Sequence, residues 1–412
     1  MPHLILTAFL ACTCQQYTFQ KENDLRTLLF ENQSYNMFAR PRVKVEITVS
    51  LNIINFNDLN IRDQQLTTTG YFILKWKDDR LFWDKNPLYR KDVTVLFTTE
   101  EHVWRPALVI ENSVSDISAM SDIGSPILLT TKGTLTWRLS GIFTTYCEVD
   151  ISLYPFDTQI CSIRVTSLGY SANEIELFFS DTPVDTRDLN ENGEWIYTGF
   201  STSKGLVRRE LLTHSELTFD FQLKRRPLYH IMNTLVPTIS LAFLTCMVFK
   251  LPAESGERIG YSLTVVLSYA VYLTLVADNI PSSSTTVSVL SIYLVTTLIL
   301  GMLSVLLTIL VLDCHHADHS RPVPKLLRQF CRMDIMITIC AKLKPRKKVA
   351  DSADDTSKSH SDIPSSVDIS LQDVTWQDLA RKLDRMFLWW YIAIVTMGTM
   401  SLVIALNTGY QN

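Results

Sequence analysis

The exported part of the chain has little that an enzyme needs. Its first 226 residues contain no nucleophile–base constellation, no metal-ligand spacing and no phosphate-cradling loop, so catalysis has no visible machinery. The formal charge is only −4 over 412 residues, which gives no argument for nucleic acid as a partner. Between 41 and 226 no long 3.6-residue periodicity occurs, which argues against a mixed α/β domain. Basic residues are missing from the segment 279–286, and that gap becomes informative once the apolar runs around it are considered.

What the chain does have is apolar length. Hydrophobic residues make up 47%, the upper end of the soluble range, and the length allows two or three domains. The start, MPHLILTAFLACTC, reads as a secretory signal peptide over 1–16, although it lacks a Lys or Arg in its first residues. Once it is removed, Cys147 and Cys161 are the only cysteines before the first long apolar run, and cysteines in an exported region pair. The sequon Asn32-Gln33-Ser34 marks Asn32 as a glycosylation acceptor on the same side.

A short helix is expected near Lys21–Leu25. Beyond it, alternating segments such as VKVEITVSLNII, TTTGYFILKW, TLTWRLSGIFTT and LTFDFQL recur with turn residues about every ten positions. That pattern predicts an extracellular antiparallel β-sandwich over 17–226. Four spans follow: three within 227–312, the first interrupted by Pro237, and a fourth at 386–407 before a short tail, 408–412. Between spans three and four, Arg321, Lys325, Arg328 and Arg332 stand at one end and Arg381, Lys382 and Arg385 at the other. With no Lys or Arg in 279–286, this is a positive-inside distribution that makes 313–385 cytoplasmic. The middle of that link has a disordered composition, while 374–385 places Trp376, Leu379 and Leu383 in one helical register. Cys314, His315, His316 and His319 are read as incidental, so neither a metal nor a cofactor is expected.

The second span, 257–280, carries the most unusual pattern. Glu257 and Asp278 are twenty-one residues apart. On a helix that is about 32 Å, close to the thickness of a hydrocarbon core. Between them Gly260, Thr264, Leu267, Val271 and Leu275 follow at steps of three or four, so all of these share one face. A stripe that runs acidic, small, hydroxyl, apolar and acidic suits several copies around a water-filled axis. Charged rings attract cations, and a leucine ring closes by dewetting. The alternative is a buried bundle helix with charged ends.

The segment between Cys147 and Cys161, EVDISLYPFDTQI, resembles the signature of the Cys-loop receptors, the eukaryotic pentameric ligand-gated ion channels. LTTTGYFILKWKDDRLFWD, WRPALVIENS, GEWIYTGF, KRRPLYH, ESGERIGYSLTVVLSYAVYLTLVADNIP and DRMFLWWY extend the resemblance over nearly the whole chain, towards the nicotinic and serotonin-gated branch. The resemblance implies a plasma-membrane subunit that joins four others, a homopentamer included. It would pass monovalent cations and open to a small extracellular ligand. Glu257 matches the inner acidic ring of cation-selective members, Leu267 matches the gate leucine, and Arg258 is expected to turn away from the axis. Coupling between sandwich and helices would run through Asn60, Phe156, Asp157, Arg225, Ile280 and Pro281.

The agonist site departs from the family. Tyr71 keeps an aromatic on the complementary face. On the principal face Glu111 and Leu168 replace aromatic residues, and Leu211-Leu212 stand where acetylcholine-binding subunits have adjacent cysteines. Tyr170 is a candidate displaced ring, Glu111 a candidate for an ammonium or a metal, and Arg208 with Arg209 for an acidic ligand. These departures support a second reading, an accessory or non-conducting subunit that needs a partner for agonist binding.

Overall fold

The computed structural model describes residues 19–280, 287–317 and 375–411. The expected signal peptide, Pro281, His319 and most of the cytoplasmic link fall outside the described residues. The contacts divide the chain into a β unit, which runs to Pro227 and also takes in the segment that begins at Asn279, and a helical unit.

The β unit begins with α1 (Phe19–Arg26), which continues through a wider π turn to Asn32 and places Leu25 and Leu29 in the core. Ten strands follow: β1 (Val45–Asn60), β2 (Gln65–Lys77), β3 (Val95–Thr98), β4 (Leu108–Ile110), β5 (Ile127–Thr130), β6 (Thr134–Tyr146), β7 (Thr158–Ser167), β8 (Ile175–Asp185), β9 (Trp195–Arg209) and β10 (Leu212–Arg225). They form a six-stranded sheet, β3-β5-β6-β2-β1-β8, and a four-stranded sheet, β4-β7-β10-β9. Pairing is antiparallel except between β1 and β8, which run parallel.

Alternation drives the sandwich. Along β2, Leu66, Phe72, Leu74 and Trp76 are buried, while Tyr71 and Ile73 between them are only half-buried. From the other sheet, Phe219 brings its ring to 6.3 Å from that of Phe72, and Phe143 lies 5.0 Å from Phe72. Each such side chain contributes about 1.5–3 kcal/mol by leaving water. Gly70 is required where β2 passes a bulge in β1, since a Cβ there would meet the Asn52 carbonyl oxygen at 2.2 Å. One strand has no counterpart in the sequence reading. β9 is an edge strand with few buried positions, so period-2 alternation has nothing to act on.

The helical unit contains α2 (Leu228–Lys250), α3 (Arg258–Asp278), α4 (Val289–His315) and α5 (Trp376–Gln411), each long and apolar enough to cross a membrane. Pro237 sits just after a π turn, Ile231–Leu235, and the Thr238 hydroxyl donates to the Thr234 carbonyl at 2.6 Å. The helix absorbs the proline by local widening rather than by breaking. α5 has no break at Arg385: the amphipathic segment and the fourth span form one continuous helix. Tyr269 and Val265 of α3 pack with Phe249 of α2 and with Tyr391 and Val395 of α5.

Candidate functional site

The turn into α3 needs Gly256, whose φ of 70° is in the left-handed region that other residues resist. It is followed by Glu257, whose carbonyl accepts from the Tyr261 N–H at 2.9 Å to start the helix. Glu257, Gly260, Thr264, Leu267, Val271, Leu275 and Asp278 are all exposed in the single chain, Leu267 at 66%. The opposite face, with Arg258, Ser262, Val265, Tyr269 and Val276, is buried. One helix therefore carries an occupied face and an open face with carboxylates at both ends. Thr264 donates its hydroxyl proton to the Gly260 carbonyl at 2.8 Å, which leaves the oxygen as an acceptor.

Arg258 turns into the bundle. It is 0% exposed, and its Nη1 donates to Asp384 Oδ2 on α5 at 3.0 Å, with a second contact from Nη2 to Oδ1. Its Nε has no hydrogen-bond partner among the described residues.

In the β unit, the disulfide joins Cys147 to Cys161 on β7, with Cα atoms 4.9 Å apart. At the tip of the enclosed loop, Asp157 is buried and accepts from Arg225 Nε at 2.8 Å and from Gln159 Nε2 at 2.6 Å. Arg225 also reaches Glu194 at 2.6 Å and lies 4.2 Å from the Trp195 ring and 5.1 Å from the Tyr154 ring. Three of the expected coupling residues have clear settings here. Asp157 and Arg225 form this pair, and Asn60 closes a local turn with Asp63. Phe156 is half-buried at the loop tip.

The expected ligand residues separate into two groups. Tyr71 lies on the outer side of the six-stranded sheet and lines a cavity of about 550 Å³ with Phe97, Leu128, Thr136, Arg138 and Ser140. On the four-stranded sheet, Arg209 forms an ion pair with Glu111, while Arg208 is simply exposed. Leu168 is exposed at 46%, and Tyr170 packs on the sandwich core with Arg40 over its ring at 5.8 Å. Tyr170 is thus held as a packing residue.

A residue absent from the sequence reading completes the second group. Glu216, on β10, is buried beside Glu111. Burial first, then Glu111 beside it, pushes the Glu216 carboxyl up to about 7. The hydrogen bond from Glu216, together with Arg209 and Arg164, holds the Glu111 carboxyl below its usual range. One Glu111 oxygen takes Arg209, and the other, buried, has no donor among the described residues except a protonated Glu216. The signal was present in the alternation of β10, where Leu217, Phe219 and Phe221 take the core face and Glu216 takes the other.

Comparison with known proteins matches this two-part architecture. Residues 22–227 fit the family profile of the neurotransmitter-gated ion-channel ligand binding domain, and 234–373 fit that of the neurotransmitter-gated ion-channel transmembrane region. The chain is 27% identical over 413 residues to neuronal acetylcholine receptor subunit alpha-5 of Homo sapiens, covering 92% of this chain and 86% of that protein. It is 31% identical over 324 residues to acetylcholine receptor subunit alpha-1-A of Xenopus laevis, covering 77% and 69%. With acetylcholine receptor subunit delta of Rattus norvegicus the identity is 30% over 342 residues, covering 78% and 65%. A disulfide-closed loop on a β-sandwich, four spans with an extracellular first unit, and matches along both parts lead to one assignment: this chain belongs to the neurotransmitter-gated ion channels, the pentameric Cys-loop receptors, as a subunit akin to those of nicotinic receptors.

Proposed function

We propose that the chain forms a cation-selective pore, opened by a ligand bound outside the membrane between adjacent subunits, and that five copies suffice to build it. The observation that carries this reading is the open face of α3, with Glu257 and Asp278 at its ends and Leu267 midway. Five such faces would put rings of carboxylates at the two mouths, where they concentrate cations and repel anions. The burial of Arg258 against Asp384 supports the same sign, because it removes the neighbouring positive charge from that face. On this reading the ligand-binding unit is 17–226, the pore helix 257–280, and the cytoplasmic link 313–385.

Two differently built surfaces would meet at the subunit junction. Tyr71 and Arg138 line the cavity of one, and Glu111, Glu216 and Arg209 form the polar cluster of the other. Such a site selects a ligand by charge more than by an aromatic cage. The second reading, an accessory subunit that borrows its agonist site from a partner, is favoured by Leu168 and Leu211, both exposed at positions where the family's agonist-binding subunits differ.

The test is voltage-clamp recording of the chain expressed alone, with ion substitution and a ligand and pH screen. A current reversing with the cation gradient supports the first reading. In Glu257→Ala, cation-over-anion permeability is expected to fall severalfold, and an unmoved reversal potential removes the selectivity assignment. Silence with protein confirmed at the cell surface supports the accessory reading.

A further inference from the structure

A row of outward side chains crosses the six-stranded sheet. Phe97 on β3, Leu128 on β5, Thr136 on β6 and Lys75 on β2 stand opposite one another in register. Two residues further along β6 is Arg138, opposite Ile73, and two further again is Ser140, opposite Tyr71. Alternation keeps Thr136, Arg138 and Ser140 on one side of the sheet. All of these except Lys75 and Ile73 line the cavity of about 550 Å³. Among the described residues of that lining Arg138 is the sole charge, and no Asp or Glu belongs to it. Arg138 is exposed and forms no ion pair among the described residues. The same holds for Lys75, its diagonal neighbour across the β2–β6 pair at about 7–8 Å, although Lys77 pairs with Asp79 at 3.3 Å. Arg187, close enough to Tyr71 to interact with its hydroxyl, brings no free charge, since it donates to Asp185 at 2.6 Å.

We propose that this cavity receives a small organic acid, a carboxylate carried on an apolar body. Its volume is within the range of small-molecule sites, about 300–1,000 Å³. A guanidinium presents N–H donors in a planar fork that matches the two oxygens of a carboxylate. The hydroxyls of Thr136 and Ser140 flank Arg138 on the same strand, and the Ser125 hydroxyl, which also lines the cavity, already donates to the Arg138 carbonyl at 2.6 Å. Tyr71, Phe97 and Leu128 supply the apolar wall. A ring such as Tyr71 would by itself suit an ammonium. An ammonium drawn to it would share the cavity with an uncompensated guanidinium, and charge repulsion at that range exceeds the attraction of one ring face. The sign of the ligand therefore follows Arg138.

This inference deepens the junction reading by naming the ligand class, and it rests on that reading only for the second wall. There a neighbouring copy would present Arg164 and Arg208, both exposed, and Arg209, which pairs with Glu111. Glu111, Glu216 and the exposed Glu210 stand against them, and Glu216 holds its proton up to about pH 7, so basic charge predominates below that pH. The wall that carries Arg138 is complete within one chain.

The experiment is isothermal titration calorimetry of the purified full chain in detergent with three probes of one shape: 3-phenylpropionate, 3-phenylpropanol and 3-phenylpropylamine. The acid is expected to bind about tenfold more tightly than the alcohol, and the amine more weakly than the alcohol. R138Q is expected to weaken the acid about tenfold and leave the alcohol unmoved, and K75Q to weaken the acid about twofold. Tyr71→Ala is expected to weaken acid and alcohol alike. Arg138 and Lys75 are exposed, so those variants keep the fold. Absence of acid binding, equal binding of acid and amine, or an acid affinity unchanged in R138Q overturns the proposal. If the acid does not bind and R138Q instead lowers the pentamer fraction in native mass spectrometry, Arg138 serves a carboxylate of the neighbouring subunit, which overturns it too. Charge-selective binding by a chain that runs as a monomer upholds the ligand class and removes the junction reading. The pore reading is judged separately, by the reversal potential of E257A.

Discussion

Two arginines, one in each unit, are buried with an aspartate partner, and their settings differ. Arg225 has a partner for each nitrogen, from both Asp157 oxygens and Glu194, and two aromatic faces within 5.1 Å. Among the described residues Arg258 has Asp384 and one distant ring, Phe249 at 5.9 Å, and its Nε has no hydrogen-bond partner. A buried charge with every nitrogen engaged is held in one arrangement. A buried charge with a donor left over can accept another partner without first losing the one it has. The first setting suits a structural anchor and the second an adjustable contact.

The largest effect is expected where satisfaction is complete. Asp157→Ala leaves the Arg225 guanidinium buried without its main counter-charge, a loss of about 3–5 kcal/mol. Surface biotinylation should show little mature protein at the cell surface, and normal delivery would mean that Arg225 finds another partner. Asp384→Asn is the milder counterpart, because the amide oxygen can still accept one bond from Arg258. A loss of about 1–3 kcal/mol is expected, read as a lowered melting temperature of the assembled protein. If the two variants cost the same, the contrast between anchored and adjustable arginines fails.

A third arginine extends the series to the surface. Arg209 is exposed and pairs with Glu111, whose neighbour Glu216 carries a raised carboxyl. The folded state then binds more protons than the unfolded state between the ordinary carboxyl range and about pH 7. Its contribution is present at low pH and is lost as pH rises through about 7. Glu216→Gln mimics the protonated form. The variant should match the parent near pH 5 and melt above it near pH 8, by an amount that solvent screening around the exposed arginines keeps below about 1 kcal/mol. Parallel melting curves across that range would place the shared proton elsewhere.

What the sequence made legible follows the range of the interactions. Alternation is local, so β2 and β10 can be read from their own residues, and the open face of α3 follows from steps of three and four. β9 could not be read this way because most of its residues are not buried. Pairings across long separations were also out of reach: Asp384 lies 126 positions from Arg258, and no local pattern announces it. For Glu216 the outward position on β10 was readable. Its encounter with Glu111 was not, since it depends on β4, β7 and β10 lying side by side. The ligand surface is therefore the least legible part, being assembled from strand ends, whereas the helix face is written in a single segment.

The continuous α5 has a mechanical meaning. Its 36 residues make a rod about 54 Å long, well beyond the roughly 30 Å of a hydrocarbon core. The protruding end resembles, by composition, a segment that floats on the membrane surface. Its apolar side chains, Leu379, Ala380 and Leu383, are already packed with Val311 of α4. With that stripe occupied, the segment stands upright as a strut. A push or pull on the cytoplasmic link is then delivered along the rod's axis into the lipid-facing layer, with no hinge at Arg385 to dissipate it.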